Sequence, residues 1–150
     1  MPDLPRKKVG LIACSGEELA EGSVTRRAVR KVLETLRPDD TVTLCLPLFL
    51  AAGEGERAFA RYYPTIAVDG CDKRCAALAT EKYSAKPAAS IVVTGIAKEC
   101  GCGKIGTARR LSEEGLRLSG VVAAKIVEET DRLLKKKHKS AIQKSDRGNP

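Results

Sequence analysis

The sequence predicts an α/β fold: an open, mainly parallel four-stranded sheet with helices on both faces, followed by a long C-terminal helix. Two observations predict it. Four short apolar runs alternate along the chain with stretches of helical length. Each run is almost continuously apolar, which is typical of parallel strands that are covered by helices on both sides. We expect the arrangement of such an alternating chain to be Rossmann-like or flavodoxin-like.

The strands are predicted from these apolar runs and from the glycines and prolines that bound them. The four predicted strands are KKVGLIAC (7–14), TVTLCLPL (41–48), TIAVDG (65–70) and ASIVVTG (89–95).

The helices are predicted from periodicity and from capping residues. The first begins at Ser23 as N-cap and ends before Pro38, because proline disfavours helix in the residue before it. Its buried stripe repeats every four residues: Val24, Ala28, Val32 and Leu36. The other predicted helices are a short one over 54–63, one over 72–83 with Asp72 as N-cap, and a long one from Ser112 or Ser119 to about Lys137.

Length and composition predict a single domain over residues 1–137. A chain of 150 residues with 43% hydrophobic content can bury a core of its own without disulfides. Neither a signal peptide nor an apolar stretch of membrane-spanning length is recognisable. We therefore expect a cytoplasmic protein with no membrane partner, in which six cysteines indicate metal or thiol chemistry more than a disulfide framework.

The net charge of +8 is concentrated at the end of the chain, where residues 135–150 hold six Lys/Arg against one acid, Asp146. We expect residues 138–150 to form a basic, disordered tail. An aromatic content of 3% gives little to stack on nucleic-acid bases, so a nucleic-acid partner is not favoured. An interaction module whose basic tail docks an acidic partner remains an alternative, and the sequence identifies no protein partner.

The cysteines lie at or near the carboxyl ends of the predicted strands. They are Cys14, Cys45, Cys71, Cys75, Cys100 and Cys102. Because these ends meet at one edge of a parallel sheet, we expect the thiols to converge there. Cys71 and Cys75 are four residues apart, a spacing that places side chains on one helical face. The helix N-terminus, Lys73 and Arg74 would favour their thiolates, the form that binds metal.

Other interpretations of individual cysteines stay open at this point. Cys45 lies inside an apolar run, where a free cysteine often only fills the core. Cys100 and Cys102 lie in a loop and are each followed by glycine, so reactive, ligating and incidental roles are all open.

Four motifs in order resemble the DGC-domain family, whose members are inferred to bind zinc. They are ACSG (13–16), LCLPL (44–48), YPTIAVDGC (63–71) and KRCA (73–76), and GIAK (95–98) is similar to the family's closing segment. The resemblance covers residues 7–98. It implies a zinc site formed by Cys14, Cys45, Cys71 and Cys75. CGCG (100–103) and the C-terminal helix lie outside the shared pattern, so Cys100 and Cys102 are possible additional thiols.

Two residues beside the predicted ligands are expected to support them. Gly70 allows the backbone to turn tightly at the strand end. Asp69 orients this turn or accepts a backbone N–H, and is not needed as a ligand. Both would act around the metal without binding it directly.

One alternative to zinc binding uses the same cysteines. An iron–sulfur or dithiol redox or sulfur-transfer protein would use them together with Cys100 and Cys102.

The sequence assigns no catalytic residue and no nucleotide cofactor, which favours a role other than catalysis. GCGKIG (101–106) matches G-x-G-x-x-G outside a βαβ unit, no cysteine has arginine six positions later, and the single histidine, His138, lies in the tail.

Overall fold

A four-stranded parallel sheet forms the centre of the protein. The computed structural model describes the backbone of residues 7–146 and the side chains of residues 7–135. The strands are β1 (Val9–Ala13), β2 (Thr41–Thr43), β3 (Thr65–Asp69) and β4 (Ala89–Val92). They pair in the order β2-β1-β3-β4, and every pairing is parallel. The predicted α/β fold is confirmed.

Seven helices connect or follow these strands in the part of the chain that the structure describes. They are α1 (Ala20–Lys31), α2 (Leu46–Ala51), α3 (Glu54–Arg57), α4 (Phe59–Tyr62), α5 (Cys75–Tyr83), α6 (Val93–Glu99) and α7 (Glu113–Asp146). A π-helical turn, Val32–Leu36, continues α1 and ends before Pro38, as predicted. None of the helices described is long and apolar enough to span a membrane.

Helices cover both faces of the sheet because neighbouring strand residues point in opposite directions. Leu11 and Ile66 face a core layer built with α1, α6 and α7. Ile12 and Ala67 face a smaller layer built with α2 and α5. Full burial of a side chain such as Leu11 stabilises the fold by about 1.5–3 kcal/mol, so this two-sided core explains why the strand runs are continuously apolar.

Two of the predicted strands end early because their last residues are helical. Thr41–Thr43 is the strand, and Leu46 already begins α2. Pro47 in the first turn of α2 has the backbone angle of a helix start and cannot donate to a sheet ladder. Residues 93–95 belong to α6, in which Val93 and Ile96 are buried on the α1 and α7 side. Short apolar runs do not distinguish strand from buried helix.

The predicted helix starts at Ser23 and Asp72 are wrong. α1 begins earlier, at Ala20, and Ser23 lies within it, where its Oγ donates to the carbonyl of Ala108 at 2.5 Å. α5 begins later, at Cys75, because the N–H groups of its first turn are accepted by Asp69. Tertiary partners therefore replace the local caps that the sequence indicates.

The C-terminal helix begins as the first of the two predicted starts places it. Ser112 Oγ accepts the N–H of Gly115 at 3.2 Å, which is the contact of an N-cap. α7 continues to Asp146, past the predicted end at Lys137. Asp131 on α7 accepts two hydrogen bonds from the guanidinium of Arg37, at 3.0 and 2.9 Å, and so joins this helix to the end of the π-helical turn. α7 thus extends over residues 138–146 of the predicted tail, whereas residues 147–150 lie outside the described residues, where disorder stays a prediction.

Candidate metal centre

Three of the predicted ligands surround one cleft at the carboxyl edge of the sheet. Cys14 directly follows β1, Cys71 follows β3, and Cys75 is the first residue of α5. All three line a cleft of about 430 Å³, which we call the cysteine cleft. Cys14 and Cys71 are half-buried, and Cys75 is exposed. Strand ends from different parts of the chain thus bring three thiols to one place.

Cys45 lies beside this cleft rather than in it. It is the N-cap residue of α2 and is exposed, so the interpretation of Cys45 as a core residue is wrong. It lines a second cleft of about 320 Å³ that Cys14 also lines. Cys14 is therefore the cysteine that the two clefts share.

The thiol of Cys14 accepts a hydrogen bond from the residue that follows the neighbouring strand and contacts a hydroxyl group on α1. The N–H of Gly70 donates to Cys14 Sγ at 3.3 Å, and Thr25 Oγ1 lies 3.5 Å from the same sulfur. Thr25 also donates to the carbonyl of Gly22. An N–H directed at sulfur is a contact that ligating thiolates commonly receive from the groups around a metal site. The sulfur of Cys14 is thus already oriented at the wall of the cleft.

Asp69 fixes the position of the segment that carries Cys71 and Cys75. Its carboxylate accepts the N–H of Ala76 at 2.7 Å and the N–H of Ala77 at 3.1 Å. Asp69 is 1% exposed, and burial raises the pKa of its carboxyl above the usual value, although the two N–H groups and Arg74 act to lower it. Both oxygens are occupied by the backbone, so Asp69 positions α5, as the sequence predicts for a backbone acceptor.

Gly70 is required for a reason other than the predicted tight turn. Its backbone does not adopt the positive φ that favours glycine, unlike that of Gly16. A Cβ at position 70 would instead lie 2.9 Å from the backbone nitrogen of Gly22 and 3.0 Å from the carbonyl carbon of Glu21. Gly16 and Gly22 meet in the same way. These glycines allow the start of α1 to lie directly against the end of β3.

Cys71 and Cys75 do not share one helical face, contrary to the prediction from their spacing. Cys71 precedes α5 and lies in a turn that the N–H of Arg74 closes onto the Cys71 carbonyl at 3.2 Å. Arg74 adopts a left-handed conformation with φ of 53°, which a non-glycine residue adopts at some cost. The turn, rather than helical periodicity, brings both thiols to the cleft.

The four cysteines are suitable zinc ligands and lie near one edge of the sheet, but their sulfurs are not close enough together to bind one ion. Tetrahedral zinc with Zn–S near 2.3 Å requires sulfurs about 3.8 Å apart. Within residues 7–135, no three His, Cys, Asp or Glu side chains lie close enough together to hold a metal ion. The four thiols therefore border two adjoining clefts without forming a closed coordination site.

Cys100 and Cys102 lie away from the cysteine cleft. They follow α6, pair with each other as a disulfide, and pack against the core layer of α1 and α7. Arg117 Nη2 donates to Cys102 Sγ at 3.3 Å. Neither residue lines the cysteine cleft. The predicted convergence of all six thiols is therefore wrong for this pair, because α6 separates it from the end of β4.

Sequence reasoning did not find Thr25, Gly16 or Gly22. Thr25 is fully buried beside the thiol of Cys14, and the two glycines set how closely α1 approaches the site. For Thr25, the only local signal was its place among the apolar positions of the predicted helix. The glycines are indistinguishable in sequence from ordinary loop residues, since their contacts are made across the fold.

One family model matches the part of the chain that contains both the cysteine cleft and the Cys100–Cys102 disulfide. The family model of the DGC domain matches residues 10–114, which is more than half of the chain. This range includes CGCG (100–103), so the expectation that this segment lies outside the shared pattern is corrected. No curated protein and no solved structure was found to match the chain. The chain belongs to the DGC-domain family, and this membership supports a metal-binding role in the broad sense.

Proposed function

We propose that the protein binds one zinc ion through Cys14, Cys45, Cys71 and Cys75, at the carboxyl edge of the sheet in a reducing, cytoplasmic setting. The observation that carries the proposal is the shared position of Cys14. Its sulfur borders the cleft of Cys71 and Cys75 and also the adjoining cleft of Cys45. Membership of the DGC-domain family adds independent support.

Zinc is a metal that this donor set suits. Thiolates are soft ligands, and four of them in tetrahedral geometry suit zinc or an iron–sulfur cluster. Four protein ligands would close the coordination sphere, which is typical of structural or regulatory sites. If only three bind, the remaining position is open to water or substrate. The metal's own contribution would then be Lewis acidity at that position.

Metal binding is expected to be coupled to local folding. Cys45 and Cys75 are exposed, and the turn from Cys71 to Arg74 is closed by a single backbone bond. Drawing the sulfurs to ligand distance must restrict these exposed segments, so part of the binding free energy would stabilise the fold. Asp69 and the close contact at Gly70 would hold the surrounding strand ends in place.

Elemental analysis of anaerobically purified, untagged protein tests the proposal. We expect one zinc per chain and no visible colour. Cys71→Ser and Cys75→Ser should each lose zinc and lower the thermal midpoint. Cys100→Ser is the control, since it removes a cysteine outside the cysteine cleft, and should keep zinc. Full zinc content in the Cys71→Ser protein would contradict the proposed site.

The Cys100–Cys102 pair favours one second candidate, a dithiol exchange function. In this reaction, the two thiols would reduce a substrate disulfide to two thiols and become the disulfide themselves, with the electrons and protons passing to the substrate. Cys102 Sγ accepts a hydrogen bond from Arg117 Nη2 at 3.3 Å, and the same guanidinium group forms an ion pair with Glu114. Zinc-replete protein should then still exchange with a small disulfide, and Cys102→Ser should abolish it. Iron with absorbance at about 400 nm would indicate a cluster instead.

A further inference from the structure

A second region of interest is a large cleft that lies away from the cysteines. It has a volume of about 840 Å³ and is bordered by α1 with its π-helical turn, by residues 108–111, and by the start of α7. No cysteine lines it. Six cationic side chains do: Arg26, Arg27, Arg30, Lys31, Arg109 and Arg110. We call it the basic cleft.

Most of the charge in the basic cleft is uncompensated. Arg26 forms an ion pair with Glu17, and Arg30 forms one with Glu34. The remaining four cations, Arg27, Lys31, Arg109 and Arg110, are exposed and form no ion pair with any residue whose side chain is described. Like charges held close together repel one another and attract an anion into the space between them.

The two cationic walls are held together by the fold. Ser23 on α1 donates to the carbonyl of Ala108 at 2.5 Å, which joins the helix to the loop that carries Arg109 and Arg110. The N–H of Thr107 donates to the Arg110 carbonyl at 2.9 Å and closes this loop into a tight turn. The basic cleft is therefore framed by a fixed turn and a helix.

Gly106 makes this turn possible. Its φ of 102° lies in the region that favours glycine. A Cβ there would lie 2.5 Å from the Arg110 carbonyl oxygen and 2.6 Å from the backbone nitrogen of Ser112. The last glycine of GCGKIG thus shapes one wall of the basic cleft, although the segment does not open a helix as a dinucleotide fingerprint would.

We propose that the basic cleft binds a small molecule carrying two or more phosphate groups. Each guanidinium group can donate two parallel hydrogen bonds to the oxygens of one phosphate group. Guanidinium groups on two opposing walls of the cleft therefore suit a ligand with several anionic groups. The volume lies within the range of small-molecule sites, about 300–1,000 Å³. None of the described residues lining the cleft is aromatic, so it lacks the stacking platform of single-strand nucleic-acid sites. The proposal does not depend on zinc binding.

Calorimetric titration of the full chain with tripolyphosphate tests this assignment. We expect saturable binding of one tripolyphosphate per chain that weakens as salt is raised. The double variant Arg27→Gln/Arg109→Gln removes one cation from each wall and should weaken binding by about tenfold or more for each arginine. Lys86→Gln/Lys98→Gln removes the same charge from exposed positions outside the cleft and should leave the affinity within about twofold.

The control experiments separate this site from the metal centre and from general charge attraction. Because polyphosphates chelate metals, the titration is repeated with Cys71→Ser, which should bind tripolyphosphate as the unmodified chain does. Equal losses in the two double variants, or orthophosphate binding as tightly as tripolyphosphate, would overturn the proposal. A duplex oligonucleotide that binds more tightly through Arg27 and Arg109 would overturn it in favour of a nucleic-acid partner.

Discussion

Substitution of Gly70 by alanine tests how the start of α1 is placed against the cysteine cleft. The added Cβ would lie 2.9 Å from the nitrogen of Gly22 and 3.0 Å from the carbonyl carbon of Glu21. Both are backbone atoms, so neither can move aside by changing rotamer. Either α1 or the end of β3 must shift. Strain of this kind in a packed interior typically costs about 1–3 kcal/mol.

Equilibrium urea denaturation of the metal-free protein is the assay, and Gly95→Ala is its matched control. Gly95 is exposed within α6 and a Cβ there would have no neighbour within 4 Å. The same chemical change should therefore stabilise the protein by about 0.5–1 kcal/mol, because alanine favours helix over glycine. We expect opposite signs for the two substitutions.

The Gly70→Ala protein should also bind zinc more weakly, since the shift of the backbone would displace the N–H of residue 70 that donates to Cys14 Sγ. If Gly70→Ala changed the free energy of unfolding by less than about 0.5 kcal/mol, this argument would be refuted. Changes of that size are typical of surface substitutions that disturb no contact. It would mean that α1 does not need to approach β3 closely, and that Gly70 is replaceable.

Two further predictions concern charged groups. Asp69→Ala leaves the N–H groups of Ala76 and Ala77 without their acceptor and should lower the free energy of unfolding by about 2–3 kcal/mol. Urea denaturation measures this change, and Asp69→Asn should be intermediate. Equal stability of all three proteins would contradict this prediction. The hydrogen bonds from Arg37, and its charge, hold the pKa of Asp131 below the usual value. The pair therefore stabilises the fold above the unfolded pKa of about 4, and this contribution is lost as pH falls through the lowered folded pKa. Asp131→Asn should lower the urea midpoint at pH 7, and its difference from the unmodified protein should shrink in acid; a constant difference would exclude the linkage.

The positions of two strands along the chain were predictable because parallel strands buried on both faces leave continuous apolar runs. Val9–Ala13 and Thr65–Asp69 are recognisable for this reason. The residues after Cys45 and after Val92 were not, since a short apolar run suits a buried helix equally well. Pro47 was the one local indication that the second run turns into a helix.

The candidate site, too, was predictable only in part from the sequence. Position at a strand end predicts that Cys14 and Cys71 approach one edge of the sheet, and they share the cysteine cleft. The location of Cys100 depends on α6, which carries the chain away from that edge and toward the α1 and α7 layer. A helix of two turns in place of a loop thus decided which thiols remain together.

By itself, the sequence determined the α/β class, the family and the positions at which thiols follow strands, because these depend on local periodicity and on spacing along the chain. The tertiary structure alone decided the contact of Gly70 with Gly22, the capping of α5 by Asp69, and the gathering of cations from α1 and the 107–110 turn into one cleft. Each of these joins residues that are distant in the chain. Their energies arise from exclusion of overlapping atoms, satisfaction of buried polar groups and charge at close range, and none of these quantities is defined until the chain is folded.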